Sequence, residues 1–158
     1  MSGERPSGWL LIPPPLLFVA PLLLSQVPER FLPLLSAPPA WRQSVRLIGI
    51  ALIVVGAAHA ASAIALFVQS RTTIVPHHRS SALVTSGAYR WTRNPMYVGL
   101  AFAYLGVTVL LTSMWALLFL ALPLYVMNAR VIPMEERQLD AVFGETYARY
   151  RARVRRWL

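Results

Sequence analysis

Apolar residues in this chain come in blocks too long and unbroken for a water-facing fold. Three stretches carry no Asp, Glu, Lys or Arg: residues 6–28, 47–70 and 95–129. A helix rises about 1.5 Å per residue, so roughly 30 Å of hydrocarbon needs about 20 apolar residues. Each stretch therefore predicts at least one membrane-crossing helix. The first crossing is expected over 8–26. It contains Pro13, Pro14, Pro15 and Pro21, and an internal Pro removes a backbone hydrogen bond, so a kinked span is expected. A secretory leader is the weaker reading, because Arg5 is offset by Glu4 and no small-x-small cleavage site follows closely. The second crossing, 46–69, is rich in Ala, Ile, Val and Leu. Gly49, Gly56 and the alanines beyond suit close helix packing in lipid.

The third block has 35 residues. As one straight helix it would be about 52 Å long, too long for an ordinary bilayer without strong tilt. Leu111-Thr112-Ser113-Met114 is the natural break. A helical hairpin follows, with spans over 95–111 and 114–132 and a kink at Pro123. Beyond it, Leu139, Val142, Phe143, Tyr147, Tyr150, Val154 and Trp157 recur at steps of three and four. That stripe predicts an amphipathic helix over 133–157 lying at the membrane interface, with Pro133 in its first turn and a bend or close contact at Gly144. The expected fold is an all-α integral membrane domain over 1–158. It has about four transmembrane helices, including the hairpin of its C-terminal half, followed by a cytoplasmic amphipathic helix.

Composition agrees. Hydrophobic residues make up 56% and charged residues 13%, with a mean hydropathy of +0.52. Soluble domains run about 45–50% apolar and about 25% charged. All 15 basic residues are Arg, against six acids, for a formal charge of +9. In a soluble protein that balance would suggest nucleic acid. Here the arginines cluster between and after the apolar blocks, which points to orientation and contact with anionic lipid headgroups, and not to nucleic acid. In a four-span topology twelve arginines fall on the side of the termini and three on the other. Both termini are therefore expected in the cytoplasm, with a bacterial inner membrane as the location.

The absence of cysteine excludes disulfides, thiolate metal sites and a Cys nucleophile. No dinucleotide, phosphate-loop or nucleophile-elbow motif is present. His77 and His78 are adjacent, which is poor spacing for two ligands on one helix face, and His59 stands alone in a span, where an inter-helix hydrogen bond is the favoured reading. No metal is expected. Polar chemistry is concentrated in residues 71–99 and 130–150, which flank the hairpin and can meet at its open end. There Tyr89 and Tyr97 offer ring faces to a cation, Glu135 and Glu136 accept from hydroxyls or an amine, and Arg93 or Arg130 can fork onto a carboxylate or phosphate. Together they suit a cationic cofactor bearing a ribose and a carboxylate. The same residues also fit interfacial aromatics, positive-inside arginines and first-turn acids.

Leu83-Val84-Thr85-Ser86-Gly87-Ala88-Tyr89 and Arg93-Asn94-Pro95-Met96-Tyr97-Val98-Gly99 resemble the signature of the isoprenylcysteine carboxyl methyltransferase family, whose superfamily includes phospholipid N-methyltransferases. The second half of the signature is similar too: Glu135-Glu136-Arg137-Gln138-Leu139, Phe143-Gly144-Glu145-Thr146-Tyr147, Tyr150 and Val154. The resemblance covers about half the chain, from Ser81 onward. It implies an intramembrane enzyme that uses S-adenosyl-L-methionine without a dinucleotide-binding fold. By resemblance, Ser81, Ala82, Leu83, Val84, Tyr89, Asn94, Pro95, Met96 and Tyr97 line the cofactor, and Glu135 holds a polar part of it. Glu136, as proton acceptor, and Arg93 form the catalytic set. Arg130 is the candidate substrate residue, one position from the family's arginine, which is Val131 here. The family often has His where this chain has Asn94; Asn keeps hydrogen-bonding capacity and does not titrate. The implied activity is methyl transfer to a lipidic or small hydrophobic acceptor, a carboxylate, amine or thiol, among membrane lipids. The alternatives are an NADPH-dependent membrane reductase of related architecture and a non-catalytic membrane scaffold.

Overall fold

A computed structural model describes residues 13–69 and 83–158. Its regular elements are helical: α1 Pro14–Leu24, α2 Gln26–Phe31, α3 Arg42–Gln69, α4 Pro95–Leu111, α5 Met114–Phe119, α6 Ala121–Val126, α7 Ile132–Phe143 and α8 Glu145–Arg153. A 3-10 turn, Gly87–Arg90, precedes α4, and a π-helical turn, Met127–Val131, joins α6 to α7.

The main packing is α3 antiparallel against α4. In the 28 residues of α3 only Gly49, Gly56 and Ala63 are buried, seven residues apart. Gly49 meets the backbone of Gly106, and Gly56 meets that of Gly99. A Cβ on Gly56 would lie 2.6 Å from the Ala103 nitrogen, so only glycine lets the backbones approach this closely. The rest of α3 turns large apolar side chains outward, among them Leu47, Ile48, Val54 and Val55. A small inner stripe with an apolar outer face is the arrangement that lipid requires. Among the described residues two continuous helical stretches are long and apolar enough to cross a bilayer: Pro39–Gln69 with 31 residues and Met114–Phe143 with 30. The 17-residue α4 and the 11-residue α1 are also apolar but shorter.

The hairpin turns at Thr112, in the left-handed region at φ 50°. Ser113 then caps α5, its hydroxyl oxygen accepting from the Ala116 N–H at 3.0 Å. The same hydroxyl donates to the Glu29 carboxylate, and the Trp115 indole N–H donates to the Leu32 carbonyl at 2.8 Å. These contacts pin α2 and the chain after it to the hairpin tip. On the inner side, Phe18 of α1 meets Tyr104 edge-on and joins a core with Tyr97, Leu120, Met127 and Ile132.

Several expected boundaries move. The helix of the first block, within the described residues, ends at Leu24 and restarts at Gln26, and α3 begins at Arg42, ahead of residue 46. The expected helix over 133–157 is corrected at its two ends, while its expected interruption does fall at Gly144. Position 133 is no boundary, because the hairpin's second arm runs through the π-helical turn into α7. That widened turn sits where Pro133 has no N–H to offer the preceding turn. Gly144, at φ 50° and ψ −123°, then separates α7 from α8. α8 ends at Arg153, and Val154 leaves the helix in an extended conformation. The last residues run back beside Thr92, whose loop backbone needs hydrogen-bond partners.

Candidate functional site

Three segments converge at the end of the molecule where α4 begins: the loop 83–94, the start of α7, and the C-terminal residues after α8. The loop is fixed first against α3. Gly87 adopts φ 58° with its backbone close to the Leu66 side chain. This turn carries Tyr89 inward, where its ring meets Phe67 edge-on at 5.5 Å and packs in a cluster with Ala63, Val84 and Met96. The Tyr150 hydroxyl of α8 donates to the Tyr89 carbonyl at 2.8 Å. Burial raises the phenol pKa of Tyr89, Tyr147 and Tyr150, so all three are neutral near pH 7.

The C-terminal segment forms a strap across the loop. Arg93 donates its backbone N–H to the Arg155 carbonyl at 2.9 Å. The Arg156 carbonyl accepts from the Thr92 hydroxyl at 3.1 Å and from the Asn94 side-chain amide at 2.9 Å. The Arg156 guanidinium grips Glu136 of α7 with two hydrogen bonds, at 2.7 and 3.2 Å, and donates to the Asn128 side chain in the π-helical turn at 3.2 Å. From the other side Arg93 approaches Glu136, Nη1 to Oε1 at 3.0 Å. That contact is a charge pair without hydrogen-bond alignment, and the Arg93 Nε is buried without a partner among the described residues.

The neighbouring acid faces a different way. Glu135 accepts from the Tyr97 hydroxyl at 2.5 Å, tying α7 to the first turn of α4. Two consecutive acids on one helix are thus divided, Glu135 toward Tyr97 and Glu136 toward the arginines. Of the residues singled out in the sequence, Val84, Tyr89 and Met96 share one apolar cluster, Tyr97 meets Glu135, and Arg93 meets Glu136. Asn94 is tied to the strap, and Pro95 is buried at the start of α4. Leu83 is half-buried at the start of the described loop, and Ser81 and Ala82 lie outside the described residues. Arg130 is exposed on the π-helical turn, and among the described residues no hydrogen bond or ion pair joins it to the others.

Arg156, Asn128 and Thr92 were not singled out by the sequence. Arg156 reads there as one more charge in an Arg-rich tail, and only the fold reveals which of seven tail arginines turns inward. Chemically, the convergence offers an apolar wall with an aromatic ring, a carboxylate bonded to a phenol, and a buried guanidinium.

An intramembrane helical fold with a polar site at the open end of a hairpin is the class that this geometry defines. The chain belongs to the phospholipid methyltransferase family, whose profile matches residues 45–146, from α3 into α8. The chain is 36% identical over 88 residues to the protein-S-isoprenylcysteine O-methyltransferase of Schizosaccharomyces pombe and 39% identical over 75 residues to that of Xenopus laevis. These matches cover 54% and 48% of this chain, but only 37% and 26% of the two relatives. An uncharacterized protein of Haemophilus influenzae is 38% identical over 63 residues, which is 40% of this chain and all of that one. Among solved structures, the eukaryotic intramembrane Ras methyltransferase, isoprenylcysteine carboxyl methyltransferase, superposes with a TM-score of 0.66 at 26% identity. The superposition covers 88% of this chain and 49% of that structure.

Proposed function

We propose that this chain is an S-adenosyl-L-methionine-dependent membrane methyltransferase acting on a lipidic or small hydrophobic acceptor. The observation that carries the reading is the Tyr97–Glu135 pair beside the Tyr89–Met96 cluster, at the point where the family signature's two halves meet. A carboxylate and electron-rich rings suit a cofactor with a cationic centre and sugar hydroxyls, so the residues present fit that group. Leu83, Val84, Tyr89, Pro95, Met96 and Tyr97 form its apolar and aromatic surround, with Ser81 and Ala82 next to them in sequence. Glu135 accepts from its hydroxyls or amine, and Asn94 keeps the loop in register through the strap.

When bound, S-adenosyl-L-methionine supplies a methyl group already made electrophilic by the sulfonium charge. The protein's own task is then to align the acceptor and exclude water. Arg93 holds Glu136 and has a further buried donor, which suits an anionic acceptor. Glu136 takes a proton where the acceptor is an ammonium; a carboxylate needs none. Arg130, exposed on the π-helical turn five residues before Glu135, is the proposed contact for the acceptor's polar end. The acceptor enters from the lipid side and the cofactor from the water side. In this reading α1 to α6 supply four crossings, both termini are cytoplasmic, and α8 lies on the inner face of a bacterial inner membrane. The Arg distribution and the two long apolar helices support that topology.

The test is calorimetry on the full chain in mild detergent, with S-adenosylmethionine, S-adenosylhomocysteine and NADPH as titrants. Binding of the first two, without NADPH, is expected. NADPH binding alone transfers the protein to reductase chemistry. Binding of none, in a sample shown to be folded, leaves a scaffold with the family's fold.

A further inference from the structure

Arg42 and Arg46 open α3, one turn apart on the same face. With Ala37, Val45, Leu110 and Thr112 they line a cavity of about 330 Å³. This cavity lies at the hairpin tip, the end of α4 remote from Pro95. The 13-residue step along α4 from Tyr97 to Leu110 separates it from the Tyr97–Glu135 pair by about 20 Å, so it is no part of the site described above.

Among the described residues neither arginine is paired with an acid. Glu29, the acid at this end, is engaged by the Ser113 hydroxyl. The cavity is therefore positively charged, and among the described residues no acid engages its guanidinium donors. Arginines on this side also run against the charge bias that orients the chain, which places twelve arginines on the opposite side and three here. Arg42 and Arg46 are exposed and both line the cavity, so a single anion there lies within reach of both. The flank is apolar and open: Trp41, Leu47 and Leu111 are all exposed beside it.

We propose that this cavity binds the phosphate of an anionic phospholipid in the leaflet opposite the transfer site. Phosphate geometry matches the guanidinium fork. The volume suits a headgroup, and the exposed apolar side chains give the acyl chains a track along α3 and α4. A free phosphate ion would satisfy the arginines and leave that apolar flank unused.

The experiment is native mass spectrometry of the detergent-purified full chain, titrated with phosphatidylglycerol, with phosphatidylcholine, and with inorganic phosphate as the soluble competitor. Phosphatidylglycerol is expected to be retained preferentially. R42Q/R46Q is expected to weaken that retention roughly tenfold or more, since a charge-assisted hydrogen bond contributes about 1.5–3 kcal/mol. R137Q/R149Q removes the same charge from the other end and is expected to weaken retention far less than R42Q/R46Q. R42K/R46K keeps the charge without the fork and is expected to fall between; it serves where the glutamine variant does not fold. Equal retention by R42Q/R46Q and R137Q/R149Q would overturn the proposal. So would inorganic phosphate displacing the lipid completely at equal concentration. Cofactor binding plays no part in this readout, so its outcome is separable from that of the transferase reading.

Discussion

The side-chain amide of Asn94 donates to the backbone carbonyl of Arg156 at 2.9 Å, joining the first turn of the hairpin to the end of the chain across 62 residues. Thr92 reaches the same carbonyl, and its oxygen also accepts from the Asn94 backbone N–H at 3.1 Å. Asn94 therefore acts here as a donor, a role that a non-titrating amide fills at every pH. Asn94→Asp removes that donor and sets a carboxylate against a carbonyl. It is expected to cost about 1–3 kcal/mol of stability and to weaken cofactor binding as the loop loosens. Thermal unfolding in detergent and calorimetry with S-adenosylhomocysteine measure both effects. An Asn94→Asp protein as stable as the parent would show the strap to be incidental.

Glu136 is the hub of the second tie. Its side chain is 11% exposed, as is that of Arg93, whereas Arg156 is 33% exposed. Glu136→Gln leaves the buried Arg93 charge without a counter-ion, and such losses run to about 3–5 kcal/mol when the pair is fully buried. Solvent at Arg156 reduces this, so roughly 2–3 kcal/mol is expected. Arg156→Ala is expected to cost less than Glu136→Gln, because Arg93 still neutralises the carboxylate. The double variant should cost less than the two singles together, since both remove one network. Additive losses in chemical or thermal unfolding would contradict the shared network.

Burial of Tyr89 and Tyr150 has a consequence at alkaline pH. Both phenols are raised above their ordinary value of 10.0, by burial first and by neighbouring charge second. The folded state thus keeps protons that the unfolded chain gives up. Their contribution is complete below pH 10 and declines as pH rises past it, because the unfolded state is then favoured by ionisation. Stability is expected to fall through that range, and Tyr150→Phe is expected to flatten the fall. Tyrosinate absorbance followed alongside the melt checks the assignment. Ionisation of all six tyrosines at the ordinary value in the folded protein would refute it.

These ties mark the boundary of what the sequence discloses. The hairpin break is legible because Thr112 and Ser113 are a turn residue and a helix cap inside an apolar run. The seven-residue spacing of Gly49 and Gly56 announces a close helix contact, though not that Gly106 and Gly99 receive it. The strap is not legible. Val154 and Trp157 continue the spacing of Tyr147 and Tyr150, so periodicity extends α8 to the end of the chain. In the fold Trp157 still packs against the apolar core, but from an extended segment. What decides the matter is the demand of the Thr92–Asn94 backbone for partners, a long-range condition that no local pattern carries. The polar segments that flank the hairpin put Glu135 and Glu136 at its open end, while their division between Tyr97 and the two arginines belongs to the helix geometry alone.

The Tyr97–Glu135 pair gives the most direct reading of the proposed pocket. Tyr97→Phe removes the hydroxyl and leaves the ring, whereas Glu135→Gln keeps the shape and removes the charge. If Glu135 contacts the cofactor, its loss is expected to weaken S-adenosylhomocysteine binding roughly tenfold or more, by the worth of a charge-assisted hydrogen bond. Tyr97→Phe acts by freeing Glu135 and should cost less. Calorimetry on both variants decides, and unchanged affinity in both would remove the pair from the cofactor site.

Two glycines test packing against backbone strain. Gly99 lies in the α3–α4 contact, where a Cβ would sit 2.6 Å from the Gly56 carbonyl oxygen and 2.8 Å from the Ala60 Cβ. Gly144 has nothing within 4 Å of its Cβ position, but its φ is +50°. Gly99→Ala must push two helices apart along a contact that includes the Gly49–Gly106 crossing. Overpacking of that kind costs about 1–3 kcal/mol and displaces Pro95 to Tyr97 with the start of α4. Gly144→Ala meets no neighbour, and its cost is conformational, also of order 1–3 kcal/mol. The two are therefore expected to melt at similarly lowered temperatures and to part company in ligand binding. Gly99→Ala should weaken S-adenosylhomocysteine binding because it moves the Tyr97 ring relative to Glu135. Gly144→Ala, at the far end of α7 from Glu135, should leave the affinity within about twofold of the parent, a difference under 0.5 kcal/mol. If the affinities fell together, the helix contact would have no special hold on the site.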